Sequence, residues 1–252
     1  MSFSSGFSVT ASLIADPARA MMLAALVDGR ARPAGELAYA AGVTPQTASS
    51  HLAKLLAGGL LALEREGRHH YYRLAGSHVA QALEQLATIQ PAGPVKRRAL
   101  TPQARELRFC RCCYDHLAGQ VSVAIAAALV GHGYLVAAPD KQFEVTAAGA
   151  AWFKSIGLDV DKLKPTRRGL ARQCLDWTER QHHLAGPLGV EFLAVLCANG
   201  WARRSKSSRA AEITPKGWIA LKHHLGIDKL AIVDDSQETV APPASSRTRE
   251  FA

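Results

Sequence analysis

The stretch Gly42-Val43-Thr44-Pro45-Gln46-Thr47-Ala48-Ser49-Ser50-His51-Leu52-Ala53-Lys54-Leu55-Leu56 constrains the fold of this chain more than any other part of it. Gly42 supplies the left-handed conformation of a tight turn between helices. Thr44 caps the next helix through its hydroxyl, and Pro45 suits a first helical position, where no N–H is needed. The spacing predicts a helix from Thr44 with Ala48, Leu52, Leu55 and Leu56 as its buried stripe. Gln46, Thr47, Ser49, Ser50 and His51 face away from that stripe and carry the short donors and acceptors that read base edges, and Lys54 adds a cation for phosphate. Upstream, residues 34–41 fit a short helix with Leu37 and Ala40 inward. Downstream, residues 61–65 and 70–74 are strand-like runs around Glu66-Gly67-Arg68-His69, a hairpin with Arg65 on one arm and Arg68 and His69 at its tip. Helix, Gly turn, polar-faced helix and basic-tipped hairpin, in that order, describe a winged helix-turn-helix whose second helix enters the major groove of double-stranded DNA.

Over residues 10–86 the chain resembles the ArsR/SmtB family of winged-helix repressors. The resemblance is carried by Asp16-Pro17-Ala18-Arg19 opening a helix, by the run from Val43 to Leu52 at the place of the recognition helix, by Gly59-Leu60-Leu61, and by Arg68-His69-His70-Tyr71-Tyr72-Arg73-Leu74. It implies a homodimeric bacterial repressor that leaves its operator when an inducer binds. That inducer is often a metal in this family, but the usual metal sites are missing here. Residues 36–41 and the recognition helix hold no cysteine, and the later helix over residues 77–90 offers only His78 and Glu84.

At 252 residues the chain exceeds one winged helix, and its 48% hydrophobic content suffices for more than one core. The expected fold class is mainly α with small β-wings (α+β). Residues 1–95 form the winged helix-turn-helix, residues 96–230 a C-terminal half, and residues 231–252, with Pro242-Pro243, a disordered tail. Pro91, Gly93 and Pro94 mark the linker between the halves. Residues 1–9 lack the pattern of a secretory signal, and no apolar run reaches the ~18 residues of a membrane span, so a cytoplasmic protein without a membrane partner is expected. Its five cysteines then read as reduced thiols. The net charge of +9 lies outside the winged helix: 7 Lys and Arg stand against 6 Asp and Glu over residues 1–95, but 21 against 11 over 96–230.

That half contains an internal repeat, about 105–160 and 168–230. Cys113-Tyr114-Asp115 with His116-Leu117-Ala118-Gly119 returns as Cys174-Leu175-Asp176 and, after a six-residue insertion, His183-Leu184-Ala185-Gly186. Leu117, Val121, Ile125 and Leu129 correspond to Leu184, Leu188, Phe192 and Leu196, read as a helix in each copy. Residues 144–149 match residues 212–217 as a strand running into a Thr-capped helix. The sequence thus predicts two degenerate winged-helix-like units.

Cys110, Cys112, Cys113 and Cys174 are candidate sensor thiols, either for a thiophilic metal ion or as a redox switch. The competing reading makes them small buried hydrophobes. Taking residues 112–113 as helical sets the two side chains about 100° apart, too far to ligate one ion unaided, and no strong zinc spacing is present. No cofactor is required by anything in the sequence, and the metal site, if any, is unknown. His116 reads as a capping or packing residue at a helix start, and the pairs His182-His183 and His223-His224 as solvated helix surface. Trp152, Trp177, Trp201 and Trp218 read as core. No phosphate loop, Ser elbow or metalloprotease helix is found, and no residue is assigned a catalytic role. Between Trp201 and Glu212, Arg203, Arg204, Lys206 and Arg209 are candidate extra phosphate contacts in the second wing. The function so read is that of a sequence-specific transcriptional regulator whose inducer is a metal, a redox signal or a small molecule. The alternative is a protein-interaction module on a winged-helix scaffold without base readout.

Overall fold

The computed structural model describes residues 3–66, 69–89 and 101–232. The N-terminal half opens with α1 (Phe3–Ala15) and α2 (Pro17–Ala25), separated by Asp16, whose carboxylate accepts the Arg19 N–H and caps α2. Strand β1 (Arg32–Pro33) leads into α3 (Ala34–Ala41), which stops at Gly42 with φ 66°. The recognition helix α4 (Pro45–Ala57) follows, capped by Thr44 through the Thr47 N–H. The wing is β2 (Leu61–Glu66) against β3 (His69–Leu74), in register from Leu61–Leu74 to Glu66–His69, with β1 on the other edge of β3. Helix α5 (Ser77–Ile89) closes this half. Met22, Leu23, Leu26, Leu37, Ala38, Ala48, Leu52 and Leu55 make its core with residues of the wing and α5. Each fully buried Leu contributes about 1.5–3 kcal/mol. Ala38 takes the inward place expected of Ala40, which is only half-buried.

The expected linker lies outside the described residues. Chain resumes at α6 (Pro102–Phe109), and then one order of elements runs twice. First come β4 (Arg111–Cys113), β5 (His116–Ala118), α7 (Gln120–Gly131), β6 (Leu135–Ala138), β7 (Gln142–Val145) and α8 (Ala147–Ser155). Then come β8 (Ala171–Leu175), β9 (His182–Ala185), α9 (Gly186–Ala198), β10 (Ala202–Arg204), β11 (Ala211–Ile213) and α10 (Pro215–Leu225). The halves of this series interlock. Strands β6-β7-β8-β9 form one antiparallel sheet that crosses from the first run to the second, and on the far side Arg111 of β4 bridges Ala210 beside β11.

Helices α7 and α9 are apolar nearly all round, as central helices must be, and they bury Val121, Ile125, Leu129, Leu188, Phe192 and Leu196 in a core shared with Trp152, Phe153 and Cys110. Thr146 and Thr214 play one part twice: each caps the following helix and donates its hydroxyl to a carbonyl, of Gly133 and Gly200 respectively, at 2.7 Å.

Three local expectations need correction. Leu117 and Leu184 lie on β5 and β9 rather than on the helices that follow, because Gly119 (φ 88°) and Gly186 (φ 79°) turn the chain before α7 and α9 begin. Residues 111–113 form a strand, so adjacent side chains alternate between faces instead of fanning around a helix. The C-terminal core also takes in Ile232, 8% exposed, so packed chain continues past residue 230. Residues 233–252, where a disordered tail was expected, lie outside the described residues. No helix among the described residues is long and apolar enough to cross a membrane.

Candidate functional site: a recognition helix and a Cys/His centre

On α4, Gln46, Thr47, Ser49, Ser50 and Lys54 are exposed, opposite the buried Ala48, Leu52 and Leu55. Two of these hydroxyls are already engaged: Thr47 shares a hydrogen bond with Thr44 at 2.9 Å, and Ser49 donates to the Pro45 carbonyl at 3.0 Å. His51 departs from the expected outward row. Its side chain is 15% exposed and turns to α2, with Nδ1 3.8 Å from Asp16 Oδ1 and 3.5 Å from the Arg19 guanidinium. Gln46 and Ser50 are thus the exposed polar groups with the freest side chains for base edges. Arg65 is exposed on β2. Arg68 lies outside the described residues, as does the side chain of His69.

The second assembly is buried in the C-terminal half. On the β4–β5 hairpin Cys113 is the cross-strand partner of His116, and on β8–β9 Cys174 is the partner of His183. Cross-strand partners share a face, so each hairpin offers one sulfur and one imidazole side by side. The first turn is kept to Tyr114-Asp115 by Tyr114 in the left-handed region (φ 70°). The two hairpins meet face to face. One ligand atom from each of Cys113, His116, Cys174 and His183 lies within 4.8 Å of all the others, and His116 Nε2 stands 3.1 Å from His183 Nε2. Alternation sends Cys112 to the opposite face, where it joins Cys110 in the apolar core. Cys110 and Cys112, expected as sensor thiols beside Cys113, are therefore apart from this cluster, and burial pushes both thiols up and keeps them protonated. His183, expected on a solvated helix, lies on a strand and is fully buried, and His116 is a strand residue rather than a helix cap.

A polar scaffold, exposed at Asp115 and fully buried at Asp176, holds the cluster. Asp115 Oδ1 is 2.8 Å from His116 Nδ1, and Asp176 Oδ2 is 3.4 Å from His183 Nδ1. Asp176 also receives the Arg111 guanidinium at 2.9 and 3.0 Å, the Gly119 N–H at 2.7 Å and the Thr178 hydroxyl at 2.7 Å. Burial works against ionisation of Asp176, but His183 and Arg111 outweigh it and hold the carboxyl well below its usual range. Burial likewise pulls the two imidazoles down, while Asp115 on His116 and Asp176 on His183 leave both above their ordinary value. The hydrogen bond toward Cys174, together with burial, pushes the Cys113 thiol up to about 12, and the same interaction lowers Cys174.

The cluster reaches the N-terminal half through Glu84 of α5, buried at 5% exposure. Its Oε2 is 3.5 Å from Cys113 Sγ, and its Oε1 is 2.7 Å from Arg209 Nη2, at an angle that makes an ion pair rather than a hydrogen bond. Arg209 further donates to the carbonyls of Val27 at 3.1 Å and Cys112 at 3.0 Å, and its N–H bonds the Asp28 carbonyl at 2.7 Å. Arg209 is therefore committed to the seam between the halves and is not the phosphate contact expected of it. Of its companions, Arg203 pairs with its cross-strand partner Glu212 at 3.0 Å, while Arg204 and Lys206 are exposed. A cavity of about 270 Å³ lies along the same seam, lined in part by Val27, Leu74, Ala80, Glu84, Tyr114 and Arg209.

Residues 14–64 match a family model described as a helix-turn-helix domain. The chain is similar to the HTH-type transcriptional regulator YdfF of Bacillus subtilis (strain 168), with 47% identity over 216 residues that cover 86% of this chain and 95% of that one. It is similar to the HTH-type transcriptional regulator CmtR of Mycobacterium tuberculosis (strain ATCC 25618 / H37Rv), with 40% identity over 37% of this chain and 83% of that one. Among solved structures, that of the cadmium metal-sensor CMTR from Mycobacterium tuberculosis has a TM-score of 0.30 at 36% identity, covering 38% of this chain and 98% of that chain.

Proposed function

The chain belongs to the helix-turn-helix transcriptional regulators of ArsR type, and we propose that it acts as a homodimeric repressor that leaves its operator when an inducer acts on the C-terminal half. The observation that carries this reading is the face of α4: a Thr-capped helix that buries Ala48, Leu52 and Leu55 and presents Gln46, Ser50 and Lys54 to solvent. Gln bonds adenine bidentately, Ser serves bases or phosphates, and a helix N-terminus attracts phosphate. A helix built to dock on another protein would present larger apolar anchors instead. Val9 on α1 and Leu86 and Ile89 on α5 are exposed apolar residues suited to a second copy of the chain. In the C-terminal half, the twofold recurrence of hairpin, helix, hairpin and helix supports one winged-helix-like unit used twice. Its seam with the winged helix, at Arg209 and Glu84, is where an inducer acts. The compartment expected for such a regulator is the cytoplasm.

Replacing Gln46 and Ser50 together by Ala removes about 1–3 kcal/mol of operator binding per base that the two side chains read, and leaves random-DNA affinity nearly intact. Gel-shift titrations on both DNAs read the ratio. An unchanged ratio means that α4 is not the reader.

A further inference from the structure

We infer that Cys113, His116, Cys174 and His183 form a closed, four-ligand site for one thiophilic divalent cation of the zinc class, whose occupancy is felt by the DNA-binding half through Glu84. The second clause rests on the regulator reading above; the first stands without it.

The donor set is two thiols and two imidazoles, the combination that tetrahedral structural zinc favours. A tetrahedral ion with metal–nitrogen bonds of about 2.0–2.1 Å sets two nitrogens about 3.3 Å apart, close to the 3.1 Å between His116 Nε2 and His183 Nε2. The outer partners aim the rings. Asp115 lies 2.8 Å from His116 Nδ1 and Asp176 makes a charge contact at 3.4 Å with His183 Nδ1, and both rings turn Nε2 to the same spot, where the two nitrogens meet across a shared proton in the metal-free site and across the cation in the loaded one. His116 and His183 are 4% and 0% exposed and Cys113 is 5%, while Cys174 is half-buried, so solvent and an incoming ion reach the spot from the Cys174 side. Four protein ligands leave no open coordination position, which makes this a site that holds an ion rather than one that activates water. Each hairpin supplies one sulfur and one nitrogen, so the ion cross-links β4–β5 to β8–β9.

Binding forms two metal–sulfur and two metal–nitrogen bonds, and the two thiol protons leave to solvent, so that two thiolates and a divalent cation make a neutral centre. The one Cys113 S–H proton, shared between Cys174 and Glu84 Oε2 3.5 Å away, is lost when the sulfur is ligated, and Glu84 loses that donor. Glu84 is then left to Arg209 alone, and Arg209 holds the carbonyls of Val27 and Asp28 just after α2. The path from the centre to the winged helix thus runs from Cys113 through Glu84 and Arg209 to the backbone after α2.

The test uses the reduced, chelator-stripped full chain titrated with Co(II) and then Zn(II). The expected result is one equivalent of cobalt per chain, with thiolate-to-cobalt charge transfer and the ligand-field bands of a tetrahedral site, displaced by zinc. Cys113→Ser and Cys174→Ser lose the signal, Cys197→Ser, outside the cluster, keeps it, and Asp115→Asn weakens binding about 10–100-fold. Since Cys113→Ser touches a buried position, a readout on the unaltered chain accompanies the variants: bound zinc protects the half-buried Cys174 from alkylation, located by mass spectrometry. No tetrahedral band in the unaltered chain, or equal alkylation of Cys174 with and without zinc, overturns the site. Operator binding without any metal binding defeats this inference and spares the regulator reading. One equivalent of metal without operator binding does the converse.

Discussion

Asp176→Asn is the substitution whose cost follows most directly from the geometry. Asp176 is 0% exposed and Arg111 2%, and the carboxylate gathers the guanidinium, the Gly119 N–H and the Thr178 hydroxyl into one network that also orients His183. The amide keeps the shape and some acceptors but removes the countercharge, leaving a buried guanidinium uncompensated. Breaking a buried pair in this way costs about 3–5 kcal/mol, a large share of the roughly 5–15 kcal/mol that stabilises a typical domain. At about 2–4 °C per kcal/mol for a fold of this size, the melting temperature falls by roughly 6–20 °C. The assay is thermal and urea unfolding followed by circular dichroism, in chelator so that metal does not contribute. The pH dependence gives a second check. The folded carboxyl is held below its ordinary value of 3.8, so its contribution is fully present above that value and is lost as pH falls below it. The gap between the parent chain and the variant therefore narrows as pH drops under about 4. A loss below about 1 kcal/mol at neutral pH, or a gap that stays constant into acid, refutes the argument.

Two further outcomes are expected. Gly149→Ala and Gly217→Ala each destabilise the C-terminal half by about 1–3 kcal/mol or more, since a Cβ there would stand 2.1 Å from the Tyr134 carbonyl oxygen and 2.0 Å from that of Trp201; denaturant midpoints within error of the parent chain would contradict this. Replacing Arg203, Arg204 and Lys206 by Gln flattens the slope of log affinity against log salt by about 0.9 for each phosphate they neutralise, read by fluorescence anisotropy on operator and random DNA. An unchanged slope removes the second wing from the DNA interface.

The winged helix was legible because its cues are local. Gly42, Thr44 and Pro45 announce the turn and the cap, and Ala48, Leu52 and Leu55 set the helical face. His51 misled because its partner, Arg19, comes from another helix 32 residues away. In the C-terminal half the matched pairs Cys113–His116 and Cys174–His183 were visible as a recurrence, but reading residues 112–113 as helix pointed the thiols the wrong way. In a strand, alternation separates Cys112 from Cys113 and brings Cys113 beside His116. His183 was hidden by the longer loop in the second hairpin, which spoils any fixed ligand spacing; its equivalence to His116 was the signal that could have found it. Glu84 and Arg209 could not be paired from sequence: Arg209 reads as a phosphate contact in the second wing and Glu84 as a residue of the closing helix of the other half, 125 residues away, until the two halves are packed together.

The most direct test of the account measures operator affinity of the full chain with the Cys/His centre loaded and stripped, in the parent and in Glu84→Gln. Glu84 is not one of the four ligands, so the variant should still take one equivalent of metal. The account predicts that loading changes the parent's operator affinity by about 5–150-fold and that the ratio collapses toward one in Glu84→Gln. Equal affinities for loaded and stripped parent protein, with metal shown to be bound, would contradict it.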